Sequence, residues 1–138
     1  MTLSLDANVL IDLVNARQAA VRRGFDAAVE AGETLVTCSL AAHELMFGAS
    51  ISHRPAIQAE ASRRLLADVA VADFTLEDAK ASVEVRTRLR SVGRSIGPFD
   101  TLIAGQALNR GWTMVTANIR EFGRVPGLDL VDWRAPPN

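Results

Sequence analysis

The sequence predicts an α/β fold: a three-layer α/β/α arrangement around a central parallel sheet of about five strands. Short apolar runs, among them Leu3 to Leu5, Thr34 to Thr37 and Trp112 to Thr116, alternate with longer segments whose apolar residues follow helical spacing. Such alternation favours parallel pairing, because each crossover lays a helix on a face of the sheet. The chain has 138 residues, 49% of them hydrophobic, which suits one domain with its own core and shows no internal repeat. A single domain over 1–133 is expected, with 134–138, which holds two prolines, as a flexible tail.

Taken in order, the pattern predicts a strand over 2–6 that ends in Asp6. A helix over 8–16 follows at once, with Val9, Leu10, Leu13 and Val14 on one side. A helix over 18–31 and a strand over 33–37 come next, with Cys38 read as a small buried side chain. Helices over 40–52 and 55–68, a strand over 70–73 and a helix over 76–92 follow. Thr75-Leu-Glu-Asp78 has the form of a capping box, which accounts for Asp78 structurally. Pro98 opens a helix over 98–110 that Gly111 closes, and strands over 112–116 and 128–131 complete the sheet. Helices 55–68 and 76–92 carry apolar residues on more than one side, notably Leu65, Leu66, Val83, Val85 and Leu89, an excess suited to a homodimer surface.

Composition narrows the function. No apolar run approaches a membrane span, the N-terminus lacks a signal-peptide pattern and the lone Cys38 forms no internal disulfide, so a cytoplasmic location is expected. The net charge of -1 is not that of a general polyanion binder. Yet fourteen of the fifteen basic residues are arginines, clustered at Arg22 and Arg23, at Arg63 and Arg64, and at Arg86, Arg88, Arg90 and Arg94. Arginine forks suit phosphate, and the last group is an RNA-contact candidate against a default of solvated helix surface.

Three acids stand where folding alone does not place them. Asp6 closes an apolar strand, so it points into the crevice beyond the carboxyl ends of a parallel sheet, although an aspartate there also caps a helix. Glu44 falls within the stripe Leu40, Ala41, Phe47, Gly48 and Ile51, which predicts a buried carboxylate. With Ser39 as N-cap, a reciprocal capping acid belongs at Ala42 instead, so Glu44 requires a metal, a proton or an arginine. Asp100 begins the face of Ile103, Ala104, Ala107 and Leu108, in a first turn where the helix dipole also favours an acid. Together they suggest a divalent-metal site and a hydrolase acting on phosphodiesters. Thr116 and Asn118 are read as caps of a short helical turn, and Glu121 as a solvated acid.

These residues carry a resemblance. Asp6-Ala-Asn8, the Glu44 helix, Gly97-Pro-Phe-Asp100-Thr-Leu-Ile-Ala-Gly105 and Val115-Thr-Ala-Asn118-Ile-Arg-Glu121-Phe122 resemble, in family order, the PIN-domain ribonucleases, most closely the VapC toxins of bacterial toxin-antitoxin pairs. The resemblance implies an endoribonuclease dependent on Mg2+ (or Mn2+), with Asp6, Glu44 and Asp100 as the metal-binding acids. Asn118 occupies the position where many members carry a fourth acid; its amide oxygen can ligate a hard cation but adds no charge. Asn8, Ser39, Thr116 and Glu121 take supporting positions in the matching motifs. The implied partners are an RNA substrate, transfer or ribosomal, a cognate VapB-like antitoxin and a second copy of the chain.

Other readings fit less well. His43-Glu44 is followed by Phe47 where a zinc protease needs its second histidine. A receiver-like domain needs a lysine after the fifth strand, whereas Lys80, the only lysine, lies on a helix. An Asp-x-Asp phosphatase finds Asn8 at its second position. A non-catalytic PIN-fold binding module and a housekeeping RNA-processing nuclease remain as alternatives.

Overall fold

The computed structural model describes residues 1–135. In chain order the elements are β1 (Thr2–Leu5), α1 (Ala7–Asn15), α2 (Ala19–Glu30), β2 (Thr34–Cys38), α3 (Ser39–Ser50), α4 (Pro55–Asp68), β3 (Ala70–Ala72), α5 (Leu76–Ser91), α6 (Pro98–Arg110), β4 (Thr113–Val115), α7 (Ile119–Phe122) and β5 (Leu130–Val131). The strands form one sheet in the order β3-β2-β1-β4-β5, parallel at every pairing, with helices flanking it as the alternating pattern requires. The core gathers Leu5, Leu10, Val21, Met114, Val115 and Phe122. The Thr37 hydroxyl donates to the Leu5 carbonyl at 2.7 Å, tying the ends of β1 and β2.

Several expectations change in detail. Asp6 and Thr116 lie just beyond their strands, not within them. The cap of α3 is Cys38, whose Sγ accepts from the Ala41 N–H at 3.2 Å, and Ser39 is therefore the first helical residue, not the N-cap. The core face of α3 is Ala41, Ala42, Leu45 and Ala49; the stripe expected to be buried is exposed at Phe47 and Ile51. Of the residues taken as apolar excess, Val85 and Leu89 are core, Leu65 and Leu66 pack against it, and Val83 alone is exposed.

The expected tail is anchored at its start. Arg134 Nε donates to Asp12 Oδ2 at 2.9 Å and its second nitrogen pairs with the same oxygen, while the Trp133 ring lies where a Cβ on Gly24 would stand, 2.4 Å away. The rest of that segment, 136–138, lies outside the described residues.

Helices α5 and α6 set the position of Asp100. A Cβ on Gly105 would meet Ser82 Cα at 2.4 Å, so only glycine permits this backbone approach. Beside it, Asp78 is fully buried and does more than close the capping box with Thr75. Its carboxylate accepts from Gln106 Nε2 at 3.1 Å, Asn109 Nδ2 at 2.8 Å, and Arg110 Nε and Nη2 at 3.1 and 3.0 Å. Burial alone raises this carboxyl, but the hydrogen bonds from Arg110, the Thr75 backbone and Asn109 outweigh it and hold the group well below the usual carboxylate range.

Asp78→Ala is expected to cost about 3 kcal/mol in urea unfolding, at the lower end for a broken buried pair because Arg110 keeps some access to water. The depressed carboxyl contributes stability that is present above the unfolded carboxylate pKa and is lost as pH falls through the folded one. The gap in urea midpoint between the wild type and Asp78→Asn should therefore be constant above about pH 4 and begin to narrow only below it. Gly105→Ala should cost about 1–3 kcal/mol in the same assay, since the methyl must displace the backbone at Ser82.

Candidate metal centre

The strand order reverses between β1 and β4, the place where open parallel sheets bind their ligands. Leu5 pairs with Val115, which sets Asp6 and Thr116 side by side past the last rungs, and the Asp6 N–H donates to the Val115 carbonyl at 3.0 Å. The Asp6 side chain is buried and serves two neighbours. Its Oδ1 accepts from the Ala7 N–H at 2.8 Å, capping α1, and its Oδ2 accepts from the Thr116 hydroxyl at 2.8 Å. Capping and crevice placement are thus both true of this residue.

Thr116 passes the order on. Its hydroxyl oxygen accepts from the Asn118 N–H at 3.0 Å, so Thr116 supports the acid and the start of α7 together. Asn118 caps α7 through Oδ1, which accepts from the Glu121 N–H at 3.4 Å, and its Nδ2 donates to Glu121 Oε2 at 3.2 Å. Glu121 is therefore a held acid, not the freely solvated one expected. Glu44, on α3, and Asp100, in the first turn of α6, are both half-buried.

Asp6, Glu44 and Glu121 all lie near enough to Asp100 for their charges to act on it. Burial pushes the Asp6 carboxyl up against its two hydrogen bonds. Burial and then the charge of Asp6 push Glu44 up. Asp100 rises to about 7, through burial, a hydrogen bond with Glu121, and the charges of Asp6, Glu121 and Glu44. Glu121 moves down, because the hydrogen bonds with Asp100 and Asn118 favour its charged form, and Arg124 and Arg120 add to this. Of this pair, Asp100 is the carboxyl pushed toward its protonated form and Glu121 the one pushed toward its charged form.

The donor set fits a hard divalent cation. Among the described residues no salt bridge reaches Asp6, Glu44, Asp100 or Glu121, so Glu44 lacks the arginine partner weighed as its alternative. Among the same residues no three His, Cys, Asp or Glu side chains already stand as a ready-made ligand cage. Magnesium does not require such a cage, since it usually takes one or two carboxylates directly and keeps several waters. Asn8 is exposed on α1, and neither its side chain nor that of Ser39 joins this hydrogen-bonded set. Sequence reasoning missed the Asp6–Thr116 bond and the Asp100–Glu121 pairing; the polar ends of two strands were the available signal.

A metal-free pocket of like charges should respond to pH. Asp100 holds its proton more tightly folded than unfolded, so its ionisation costs stability as pH rises from about 4, its unfolded range, to about 7. In chelator, Tm should fall from pH 5 to pH 8 through this group, and Asp100→Asn should melt above the wild type at pH 8. Millimolar Mg2+ or Mn2+ should raise the wild-type Tm, more at pH 8 than at pH 5, and leave Asp100→Asn unmoved. A wild-type melting curve indifferent to both ions at pH 8 would remove the metal site.

Comparison with known proteins adds three findings. The sequence profile of the PIN domain matches residues 3–128. The tRNA(fMet)-specific endonuclease VapC of Shigella flexneri is 35% identical over 129 residues, 94% of this chain and 96% of that one. Among solved structures, VapBC2 from Rickettsia felis bound to a DNA fragment from their promoter has a chain that matches with a TM-score of 0.89 at 28% identity, covering 96% of this chain and 99% of that chain. DNA-bound VapBC from Salmonella typhimurium gives 0.87 at 29% identity, covering 96% and 98%.

Proposed function

The chain belongs to the PIN-domain family, and we propose that it is a metal-dependent endoribonuclease, the toxin of a toxin-antitoxin pair, which hydrolyses RNA to 5'-phosphate and 3'-hydroxyl ends. One observation carries the reading: four carboxylates, Asp6, Glu44, Asp100 and Glu121, come together at the sheet's switch point, and among the described residues no salt bridge neutralises them. The name of the Shigella flexneri relative favours a transfer RNA over a ribosomal one as substrate.

Asp6, Glu44 and Asp100 would hold Mg2+ or Mn2+. A divalent ion bound there supplies Lewis acidity at the phosphoryl oxygens and an activated water. The chain's own groups prepare for it. Thr116 fixes the Asp6 carboxylate by donating to Oδ2, and Asn118 Nδ2 fixes Glu121. Burial and the neighbouring acids favour the protonated form of Asp100, and a cation held there would favour its charged form instead. Asn118 acts through position and not charge, which is also what a binding module that had lost its activity would display.

The partner in this reading is a VapB-like antitoxin, supported by the VapBC assemblies among the solved relatives. An arginine or lysine from it would enter the anionic pocket and compete with the metal, while its apolar residues would lie on exposed Met46, Phe47 and Ile51. A homodimer through α4 and α5 belongs to the same reading, with Ile57, Leu76 and Val83 exposed on them. No helix among the described residues is long and apolar enough to cross a membrane, and the cytoplasm, where transfer RNA is found, is the place of action that this reading proposes.

Cleavage of transfer RNA should require Mg2+ or Mn2+ and vanish with Asp100→Ala; a binding module shows no such activity, and a housekeeping nuclease is harmless when expressed alone. Calorimetric titration should find tighter metal binding in Asn118→Asp, through the added charge, and weaker activity without unfolding in Asn118→Ala. Equal affinities in the wild type and Asn118→Asp would leave Asn118 as a helix cap only.

A further inference from the structure

We infer that Arg86 and Arg90 form a phosphate subsite that holds the RNA backbone beside the scissile position. This rests on the ribonuclease reading and adds to it a place for the neighbouring nucleotide. A groove of about 380 Å3 lies between α5 and the first turn of α6, lined by Arg86, Arg90, Ser95, Pro98 and Thr101 over apolar Leu89 and Ile96. Pro98 and Thr101 belong to the first turn of α6, which also carries Asp100, so the groove and the acids lie at the same end of that helix.

Charge decides what the groove takes. An acid pocket repels RNA until a cation fills it, and the net charge of -1 provides no general attraction, so affinity for a polyanion must come from local cations. From Val85 to Phe99 the chain has four arginines and no acid. None of Arg86, Arg88, Arg90 and Arg94 is ion-paired among the described residues, whereas Arg22, Arg63, Arg64, Arg110 and Arg134 are. Arg86 and Arg90 are four residues apart and share a helix face, anchored by buried Leu89 between them. Two planar forks over one groove match the oxygens of a phosphate. The opposite wall is held in place, because Arg124 Nη1 donates to the Ser95 carbonyl at 3.0 Å from the far side of the α7 turn. Arg88 lines a different cavity, with Glu84, Leu108 and Asn109, and so provides an internal control of equal charge on the same helix.

The test uses the full chain and fluorescently labelled bulk transfer RNA, with binding read by anisotropy in chelator across a salt series and cleavage read separately with Mn2+. Arg86→Ala/Arg90→Ala should weaken binding about tenfold, flatten the slope of log affinity against log salt by about 1, and raise KM for cleavage more than it lowers kcat. Tm and its rise with metal should not move, since both side chains are exposed. The corresponding double lysine variant should restore the salt slope, and Arg88→Ala should bind as the wild type does. Unchanged affinity and slope in the alanine pair overturn the subsite and leave the groove to acidic side chains of a protein partner. An equal loss in Arg88→Ala overturns it as well, by reducing the effect to total charge. A wild type that binds RNA through the pair but never cleaves it would instead sink the nuclease reading.

Discussion

The hydrogen bond from the Thr116 hydroxyl to Asp6 Oδ2 joins the two strands between which the sheet reverses its order, and the acid pocket is organised from it. Thr116 is fully buried and Asp6 nearly so, and neither polar group can be left unpaired there without a cost of about 1–3 kcal/mol. Satisfying one therefore orients the other. The same hydroxyl oxygen receives the Asn118 N–H, and Asn118 holds Glu121, whose carboxyl in turn acts on the ionisation of Asp100. A single threonine thus links the end of β1, the start of α7 and, at one remove, the first turn of α6.

The acids in this pocket oppose one another, so the fold must bring Asp100 to them against repulsion. It does so through α6, whose side away from the pocket is clamped to α5 at two points. Gly105 lets the helix backbones approach to contact, and buried Asp78 gathers donors from Gln106, Asn109 and Arg110 on α6. The charge that favours the fold at Asp78 is compensated by an arginine, while among the described residues no salt bridge reaches the acids of the pocket. Stability and function are in this way assigned to opposite sides of one helix.

The alternation of strands and helices was legible because period two and period 3.6 differ over short windows, and Asp6 and Asp100 were legible because they end or begin such windows. Glu44 was found for a reason only half right. Two faces of α3 have helical spacing, and hydropathy favours the one with Phe47 and Ile51, yet the face that packs is Ala41, Ala42, Leu45 and Ala49, whose small side chains fit between neighbouring elements. The Cys38 cap escaped notice because a thiol is a weak acceptor seldom chosen for that place. Neither the Asp6–Thr116 bond nor the Asp12–Arg134 pair has any local signature, since their partners are 110 and 122 residues apart.

That separation has a consequence for the order in which the protein comes into being. Asp6 leaves the ribosome ahead of Thr116 and waits while the 110 residues that separate them are made, on the order of ten seconds at usual rates of synthesis. Until then β1 lacks its neighbour on one side, the buried carboxylate lacks its hydroxyl, and Asn118 and Glu121 do not yet exist. The long-range closure that follows is also intrinsically slow. The nascent chain is thus without a complete acid pocket until both β1 and β4 have emerged, so the local helices can form long before the residues of the candidate site meet.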